Sequence, residues 1–208
     1  MTSLGLLFAI LATTFSCTRP FGNMFLVTSS PLQTYTVKLT GQKERPRFFT
    51  VEVRFDAYRQ GSPIWMNQYL HSGDWMDISF ELAYPDHHWR SENILHFYRE
   101  ENFRNRDRGP TVATLINDTD QVIEYLKLES EDIFLIFDLH PHSKAVLEIS
   151  PPMSDVQGIG IEGKFSNGET FQKGAGFDVK DKRKVPLTYT ISLNDNDISI
   201  ASSFLYSP

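Results

Sequence analysis

The sequence predicts an all-β chain that folds as a single antiparallel β-sandwich or jelly-roll-like domain with one or two short helices. Three observations support this prediction. Apolar and polar residues alternate with a period of two in several segments, one short segment is almost wholly apolar, and turn-forming residues separate these segments. Because successive side chains of a strand point to opposite faces, period-two alternation indicates a strand with one buried face.

Strands are predicted first where this alternation is regular. Residues 49–57 and 76–82 both place apolar side chains at every second position, with polar or charged residues between them. The segment IFLIFDL, residues 133–139, is apolar at nearly every position. Such a run predicts a strand that is buried on both faces.

Two hairpin turns are predicted in the second half of the chain. Asn167-Gly168 is a dipeptide that tolerates the positive φ angles of a two-residue turn. The segment NDND, residues 194–197, separates two strand-like segments and is rich in turn-forming residues. Both positions favour antiparallel neighbours.

The segment GIGIEG, residues 158–163, matches the glycine spacing of a dinucleotide-binding loop. That loop requires a strand, a turn and a helix in this order, whereas the following residues KFSNGETF favour a strand that enters a hairpin. We therefore interpret the segment as part of a strand. The two predicted helices lie elsewhere, at residues 91–103 and at residues 121–130 behind an acidic cap.

The N-terminal segment predicts export. Residues 4–12 read LGLLFAILA, which is too short to span a bilayer but suits the apolar region of a secretory signal peptide. Thr14 and Ser16 flank Phe15 in the small-x-small pattern that signal peptidases accept. Cleavage there would make Cys17, the only cysteine, the first residue of the mature chain.

The segment Thr14-Phe15-Ser16-Cys17 resembles the lipobox of bacterial lipoprotein precursors. This resemblance implies that the Cys17 thiol receives a diacylglyceryl group and that the mature chain carries fatty acyl groups such as palmitate. It divides the chain into a signal peptide at 1–16, a lipid-attached tether at 17–31 and a β-sandwich domain at 32–208. The alternatives are an ordinary signal peptide, giving a periplasmic or secreted protein, and a signal anchor that stays in the membrane.

The net charge of −6 argues against nucleic-acid binding, which needs a basic surface to displace counterions from phosphates. No cofactor is expected other than the covalent lipid. The expected partners are the membrane, through the anchor, and a protein or a glycan. With one cysteine the chain has no intramolecular disulfide, so its stability depends on its core.

Candidate ligand-binding residues surround one of the three tryptophans. Trp89 is bordered by His87, His88 and Arg90, a neighbourhood typical of a recognition loop in which a ring stacks on a sugar or anchors a protein. The alternative is packing in the core, which is the expectation for Trp65 and Trp75.

A metal site is the main catalytic hypothesis. His140 and His142 would point to the same side of an extended strand and could direct two imidazoles at one ion. The proline between them favours a solvated loop instead. No GxSxG serine motif is present, and spacing alone does not identify a catalytic carboxylate pair.

These observations predict an exported, lipid-anchored protein of the bacterial cell envelope with a binding or structural role and no catalysis. One alternative is a metal-dependent envelope enzyme that uses His140 and His142. The other is a carbohydrate-binding module.

Overall fold

The computed structural model describes residues 24–43, 50–74, 86–98, 111–150, 156–178, 187–194 and 197–204. Within these ranges the chain forms fourteen β-strands and no helix, so the predicted all-β sandwich is confirmed and its predicted helices are wrong. The strands are β1 Met24–Ser29, β2 Tyr35–Lys43, β3 Thr50–Arg59, β4 Ser62–Asp74, β5 Asp86–Ser91, β6 Ile94–Tyr98, β7 Thr111–Asn117, β8 Ile123–Glu129, β9 Ile133–Leu139, β10 Ser143–Ile149, β11 Val156–Phe165, β12 Thr170–Asp178, β13 Leu187–Asn194 and β14 Asp197–Phe204.

The described strands form three sheets. The N-terminal sheet has the order β1-β2-β3-β4, the central sheet has the order β12-β11-β8-β9-β6-β5, and the mixed sheet has the order β10-β7-β13-β14. The neighbours are antiparallel except for β7 and β13, which pair in parallel. The parallel pair gives the mixed sheet its name.

Strands β8, β9 and β6 of the central sheet have buried residues on both faces, because each of the other two sheets packs against this part of it. One core lies between the N-terminal and central sheets and contains Phe55 with Leu135 and Phe137. The second core lies between the central and mixed sheets, where Ile136 packs with Leu115. The sandwich therefore has three layers and two hydrophobic cores. Each large apolar side chain buried in either core contributes about 1.5–3 kcal/mol to stability.

Strand β9 confirms the prediction of a strand buried on both faces. Ile133, Leu135 and Phe137 belong to the core with the N-terminal sheet, while Phe134 and Ile136 belong to the core with the mixed sheet. The strand occupies an interior position between β8 and β6. Its nearly continuous apolar sequence follows directly from that position.

Both predicted helices are strands in the part that the structure describes. Residues 123–129 form β8 and residues 94–98 form β6, while residues 99–103 lie outside the described residues. Both strands are interior strands of the central sheet, so their sequences lack the alternation of a half-buried strand. Their apolar residues therefore resembled short helices.

The predicted strands and turns mostly agree with the structure. Residues 50–59 form β3, the GIGIEG segment lies inside β11, and Gly168 has a φ of +93° in the turn between β11 and β12. Asn194 and Asp197 pair across the antiparallel β13 and β14. The strand predicted at 76–82 lies outside the described residues.

The N-terminal boundary needs a correction. Strand β1 begins at Met24, within the segment 17–31 that was expected to be a tether, and it pairs with β2. The sheet therefore begins ahead of the expected boundary at residue 32.

Gly163 is required by close packing between β11 and its neighbours. A Cβ atom built there would lie 2.5 Å from the carbonyl oxygen of Tyr125 and 2.6 Å from Cζ of Phe171. We expect Gly163→Ala to lower the free energy of unfolding by about 1–3 kcal/mol, as for other overpacked sites. Urea unfolding measures this loss. Gly158→Ala is the matched control, since a Cβ there meets nothing within 4 Å; equal losses in both variants would exclude overpacking as the cause.

Candidate ligand-binding site

The N-terminal sheet leaves part of the central sheet uncovered. In β11, Ile159 and Ile161 are buried in the core with the mixed sheet, so the alternate residues Gly160 and Glu162 face the other way. Gly160 and Glu162 are only partly buried, and the adjacent Gly174 of β12 is exposed. This part of β11 and β12 forms an open shelf beside β4.

A cavity of about 410 Å³ lies on this shelf, between β4, β8, β11 and β12. One aromatic residue, three charged residues, one amide and two glycines of the lining face the cavity: Tyr69, Lys127, Glu129, Glu162, Gln172, Gly160 and Gly174. Lys173 also borders the cavity, but it is opposite Ile161, so its side chain lies on the other face of the sheet. The volume lies within the range of small-molecule sites, about 300–1,000 Å³.

Strand pairing explains how these side chains come together. Lys127 of β8 is opposite Glu162 of β11, which is opposite Gln172 of β12. In the next row on the same face of the sheet, Glu129 is opposite Gly160, which is opposite Gly174. The first row therefore places polar side chains on one side of the shelf, and the second leaves bare backbone beside Glu129.

Lys127 is the centre of the site. The residue is only 4% exposed, and lysine is almost never buried to this extent unless its charge is paired. Its Nζ donates a hydrogen bond of 3.2 Å to the carbonyl oxygen of Tyr69. The same atom lies 3.3 Å from Oε2 of Glu129 and 3.0 Å from Oε1 of Glu162. Three ammonium protons thus have three acceptors, which fixes both carboxylates at the cavity.

Tyr69 is held to the same group but keeps an exposed ring. The Lys127 Nζ atom lies 5.2 Å from the centroid of the Tyr69 ring, which is within reach of a cation–π contact. Tyr69 is nevertheless 39% exposed. The ring therefore offers aromatic surface to the solvent beside the two carboxylates.

The two cavity glycines are not required by packing within the chain. A Cβ at Gly160 would lie 4.0 Å from the nearest atom, the Glu129 carbonyl oxygen, and one at Gly174 would lie 3.7 Å from the Ile159 carbonyl oxygen. These are ordinary van der Waals distances, unlike the close approaches at Gly163. Packing within the chain therefore does not explain why glycine, which weakens a strand interior, stands at these two positions.

The residues predicted around Trp89 lie in strand β5 and not in a loop. The Trp89 ring is partly buried against the core with the N-terminal sheet, and its Nε1 donates a hydrogen bond of 3.1 Å to Oγ1 of Thr28. His87 and Trp89 face this core, since the His87 ring lies 6.1 Å from that of Phe97. Trp65 is a core residue as expected, stacked 3.9 Å from Tyr125, and Trp75 lies outside the described residues.

His88 and Arg90 belong to a different group on the opposite face of β5, in which His88 is half-buried and Arg90 is exposed. Nε and Nη2 of Arg90 lie 3.1 and 2.9 Å from Nδ1 of His96. A guanidinium group can only donate, so Nδ1 accepts and the imidazole proton resides on Nε2. His96 Nε2 lies 3.1 Å from Oδ2 of Asp132, and both side chains are fully buried. Arg90, neutral His96 and Asp132 thus contact one another in sequence, from the surface to the buried carboxylate.

This group predicts a loss of stability in mild acid. Burial, followed by the charge of Arg90 and the proximity of His96 and His87, lowers the pKa of His88 to about 4 from 6.5. Burial also lowers the pKa of His96, although Asp132 opposes this shift. Because the unfolded chain binds these protons first, stability is complete above pH 6.5 and falls as the pH decreases toward 4.

Urea midpoints measured from pH 7 to pH 4 check this acid dependence. The variant His88→Gln should show a smaller loss of stability over this interval than the unsubstituted chain. Identical losses in the two proteins would mean that His88 does not contribute.

The structure does not bring three metal ligands together around His140 and His142. Both residues lie between β9 and β10, and His140 is exposed. His142 faces two carboxylates: its Nε2 lies 2.9 Å from Oδ1 of Asp120, and its Nδ1 lies 3.8 Å from Oδ1 of Asp118. In the described part of the chain, no group of three or more His, Cys, Asp or Glu residues could hold a metal ion.

Cys17 and the predicted signal peptide lie outside the described residues. Among the residues that are described, no helix is long and apolar enough to cross a bilayer. Comparisons of the chain with protein-family models, curated proteins and solved structures gave no match. The geometry of the cavity and the sequence of the N-terminal segment are therefore the features that indicate a function.

Sequence reasoning missed the residues of this cavity. Lys127 and Glu129 lie in the segment predicted as a helix, and Glu162 lies in the GIGIEG segment. No pattern in the sequence distinguishes Tyr69 as a site residue. One signal was present: Lys127 is a lone charge between Leu126 and Leu128, in a segment that the structure buries. A charged residue in such a run requires a specific partner.

Proposed function

We propose that this chain is an exported, lipid-anchored protein of the bacterial cell envelope that binds a small polar ligand in the cavity at Lys127, without catalysis. The observation that carries the binding role is the buried Lys127 ammonium, which fixes Glu129 and Glu162 at a solvent-accessible cavity. Export and anchoring rest on the apolar segment at 4–12 and the lipobox-like segment that ends at Cys17.

A binding role is favoured over a purely structural one because the polar groups are already ordered at an accessible cavity. Ordering flexible side chains on association opposes binding, and Lys127 removes part of this cost for both carboxylates. A core built only for stability would gain more from apolar residues at these positions, since buried ion pairs contribute little net stability.

The absence of catalysis is favoured by the chemistry of the lining. The described residues around the cavity include no Ser, Thr, Cys or His that could form a nucleophile–base pair. Both carboxylates contact the same ammonium group, which holds them in place as hydrogen-bond acceptors for a ligand.

Ligand-observed NMR tests the binding role. The full chain is mixed with pools of amino acids, nucleosides, neutral sugars and sugar acids, and saturation transfer to each compound is recorded. We expect transfer to members of at least one pool and its loss in Gly160→Val, whose side chain enters the cavity. Gly158→Val is the matched control on the same strand face. A chain that gives no transfer to any pool, or equal transfer in both variants, contradicts binding in this cavity.

The intact mass of protein extracted from its native membranes tests the anchor. A mature chain that starts at Cys17 and carries diacylglyceryl and acyl groups is the expected result. An unmodified chain in the soluble fraction would remove the anchor and leave the binding proposal unaffected.

A further inference from the structure

The ionic groups at the cavity are already paired within the chain, although two carboxylates share one ammonium and leave a net charge of −1. Lys127 is committed to Glu129 and Glu162, and Nζ of Lys173 lies 3.4 Å from Oδ1 of Asp197. A phosphate or carboxylate group would therefore meet no uncompensated cation among the described lining residues, and an ammonium group would have to compete with Lys127. A cationic ligand would be attracted by the net charge but repelled by the Lys127 ammonium, and any charged ligand must lose its hydration, so these groups favour an uncharged ligand.

The hydrogen-bonding groups favour a ligand with several hydroxyl groups. Lys127 contacts one oxygen of each glutamate, which leaves the second oxygen of each to accept from a ligand. Gln172 adds an amide that both donates and accepts. A hydroxyl group also does both, and a hydroxyl that donates to a carboxylate forms one of the stronger hydrogen bonds in proteins.

The shape of the cavity favours a flat ring. Gly160 and Gly174 are cross-strand neighbours, so this part of the floor is backbone without side chains. Beside the cavity, Tyr69 exposes aromatic surface. A pyranose ring has a rim of hydroxyl groups and a face of C–H groups, and that face packs favourably on the electron-rich face of an aromatic ring.

We infer that the cavity binds a neutral pyranose saccharide, which lies over Gly160 and Gly174, contacts Tyr69 and donates hydroxyl hydrogen bonds to Glu129 and Glu162. This inference rests on the proposed binding function and names its ligand class. It also gives the two glycines a role, because a side chain at either position would occupy the space of the sugar ring.

The test is a glycan array probed with the full chain, followed by calorimetric titration with the strongest neutral oligosaccharide. We expect Gly160→Val and Gly174→Val to weaken binding by more than about 100-fold through steric exclusion, while Gly158→Val keeps the affinity. A Cβ at either position meets no atom closer than 3.7 Å, and the unfolding temperatures of both variants identify any loss of binding that comes from a disturbed strand.

Tyr69→Ala provides a second variant should either valine disturb the strand. Losing the aromatic contact should weaken saccharide binding by about tenfold, and losing the cation–π contact with Lys127 should lower the unfolding temperature only slightly. Tyr58→Ala, on the adjacent strand β3 and outside the cavity lining, is the matched aromatic control and should keep the affinity.

The outcomes separate this inference from the function on which it rests. Binding of charged compounds in the NMR pools with a negative glycan array overturns the saccharide assignment and leaves the binding role intact. Glycan binding that is equal in Gly160→Val, Gly174→Val and Tyr69→Ala overturns the assignment to this cavity. Failure of every pool and every glycan overturns both.

Discussion

Replacing Asp132 by alanine is expected to lower the free energy of unfolding by about 2–6 kcal/mol, because two buried N–H groups lose the same acceptor. The Asp132 carboxylate is fully buried. Its Oδ2 accepts a hydrogen bond of 2.7 Å from the Ser150 amide and lies 3.1 Å from Nε2 of His96. Truncation leaves two buried donors without this acceptor, and each costs about 1–3 kcal/mol.

Urea unfolding followed by circular dichroism measures this effect. Asp118→Ala is the matched control, because this carboxylate is 64% exposed and its replacement should change stability by no more than about 0.5 kcal/mol. A loss below about 1 kcal/mol for Asp132→Ala would show that solvent or rearranged side chains satisfy His96 and Ser150.

Replacing Asn117 by alanine is expected to lower the free energy of unfolding by about 3 kcal/mol or more, because several buried groups lose their partner at once. The buried Nδ2 lies 2.8, 2.9 and 3.0 Å from the carbonyl oxygens of Gln121, Leu139 and His140, and its two protons serve these three acceptors with one proton shared. Oδ1 accepts from the amide and the hydroxyl of Thr119. This one side chain joins the β7–β8 connection to the end of β9.

Two further variants separate hydrogen bonding from packing at Asn117. Asn117→Asp keeps the size of the side chain but places an acceptor against three carbonyl oxygens, so at pH 7 it should destabilise at least as much as alanine. Asp120→Ala, at an exposed position in the same connection, should be nearly neutral. If Asn117→Asp were neutral, the amide donors would not be the cause.

The sequence predicted the fold class because most outer strands have one exposed face. Alternation in residues 49–57 and the Asn167-Gly168 turn depend on local backbone geometry, which short segments carry by themselves. The three-layer arrangement was not predictable in this way. It requires knowing that β8 and β6 are interior strands, and the parallel pairing of β7 with β13 joins segments far apart in the chain.

The candidate site was less accessible to sequence reasoning than the fold. The cavity combines residues of β4, β8, β11 and β12, whose proximity depends on strand order and register. In the sequence nothing distinguishes Gly160 and Gly174 from the other glycines, because only the pairing of β11 with β12 places them opposite each other. The neighbours of Trp89 in the sequence predict a recognition loop, but in the structure its indole forms a hydrogen bond that joins β5 to β1.

Because β8 and β9 are buried on both faces, hydrophobic burial alone does not determine the register in which these strands pair. In a half-buried strand, a slip of one residue moves the apolar side chains into water and is strongly penalised. In β9 the same slip exchanges one apolar row for another, so hydrophobic burial discriminates weakly between the two alignments. The buried polar groups supply that discrimination, because Lys127 meets Glu162, and His96 meets Asp132, in one alignment only. Beside the proposed role of Lys127 in binding, these groups would therefore penalise misaligned sheets during folding, and apolar replacements there should yield more trapped intermediates even where equilibrium stability is retained.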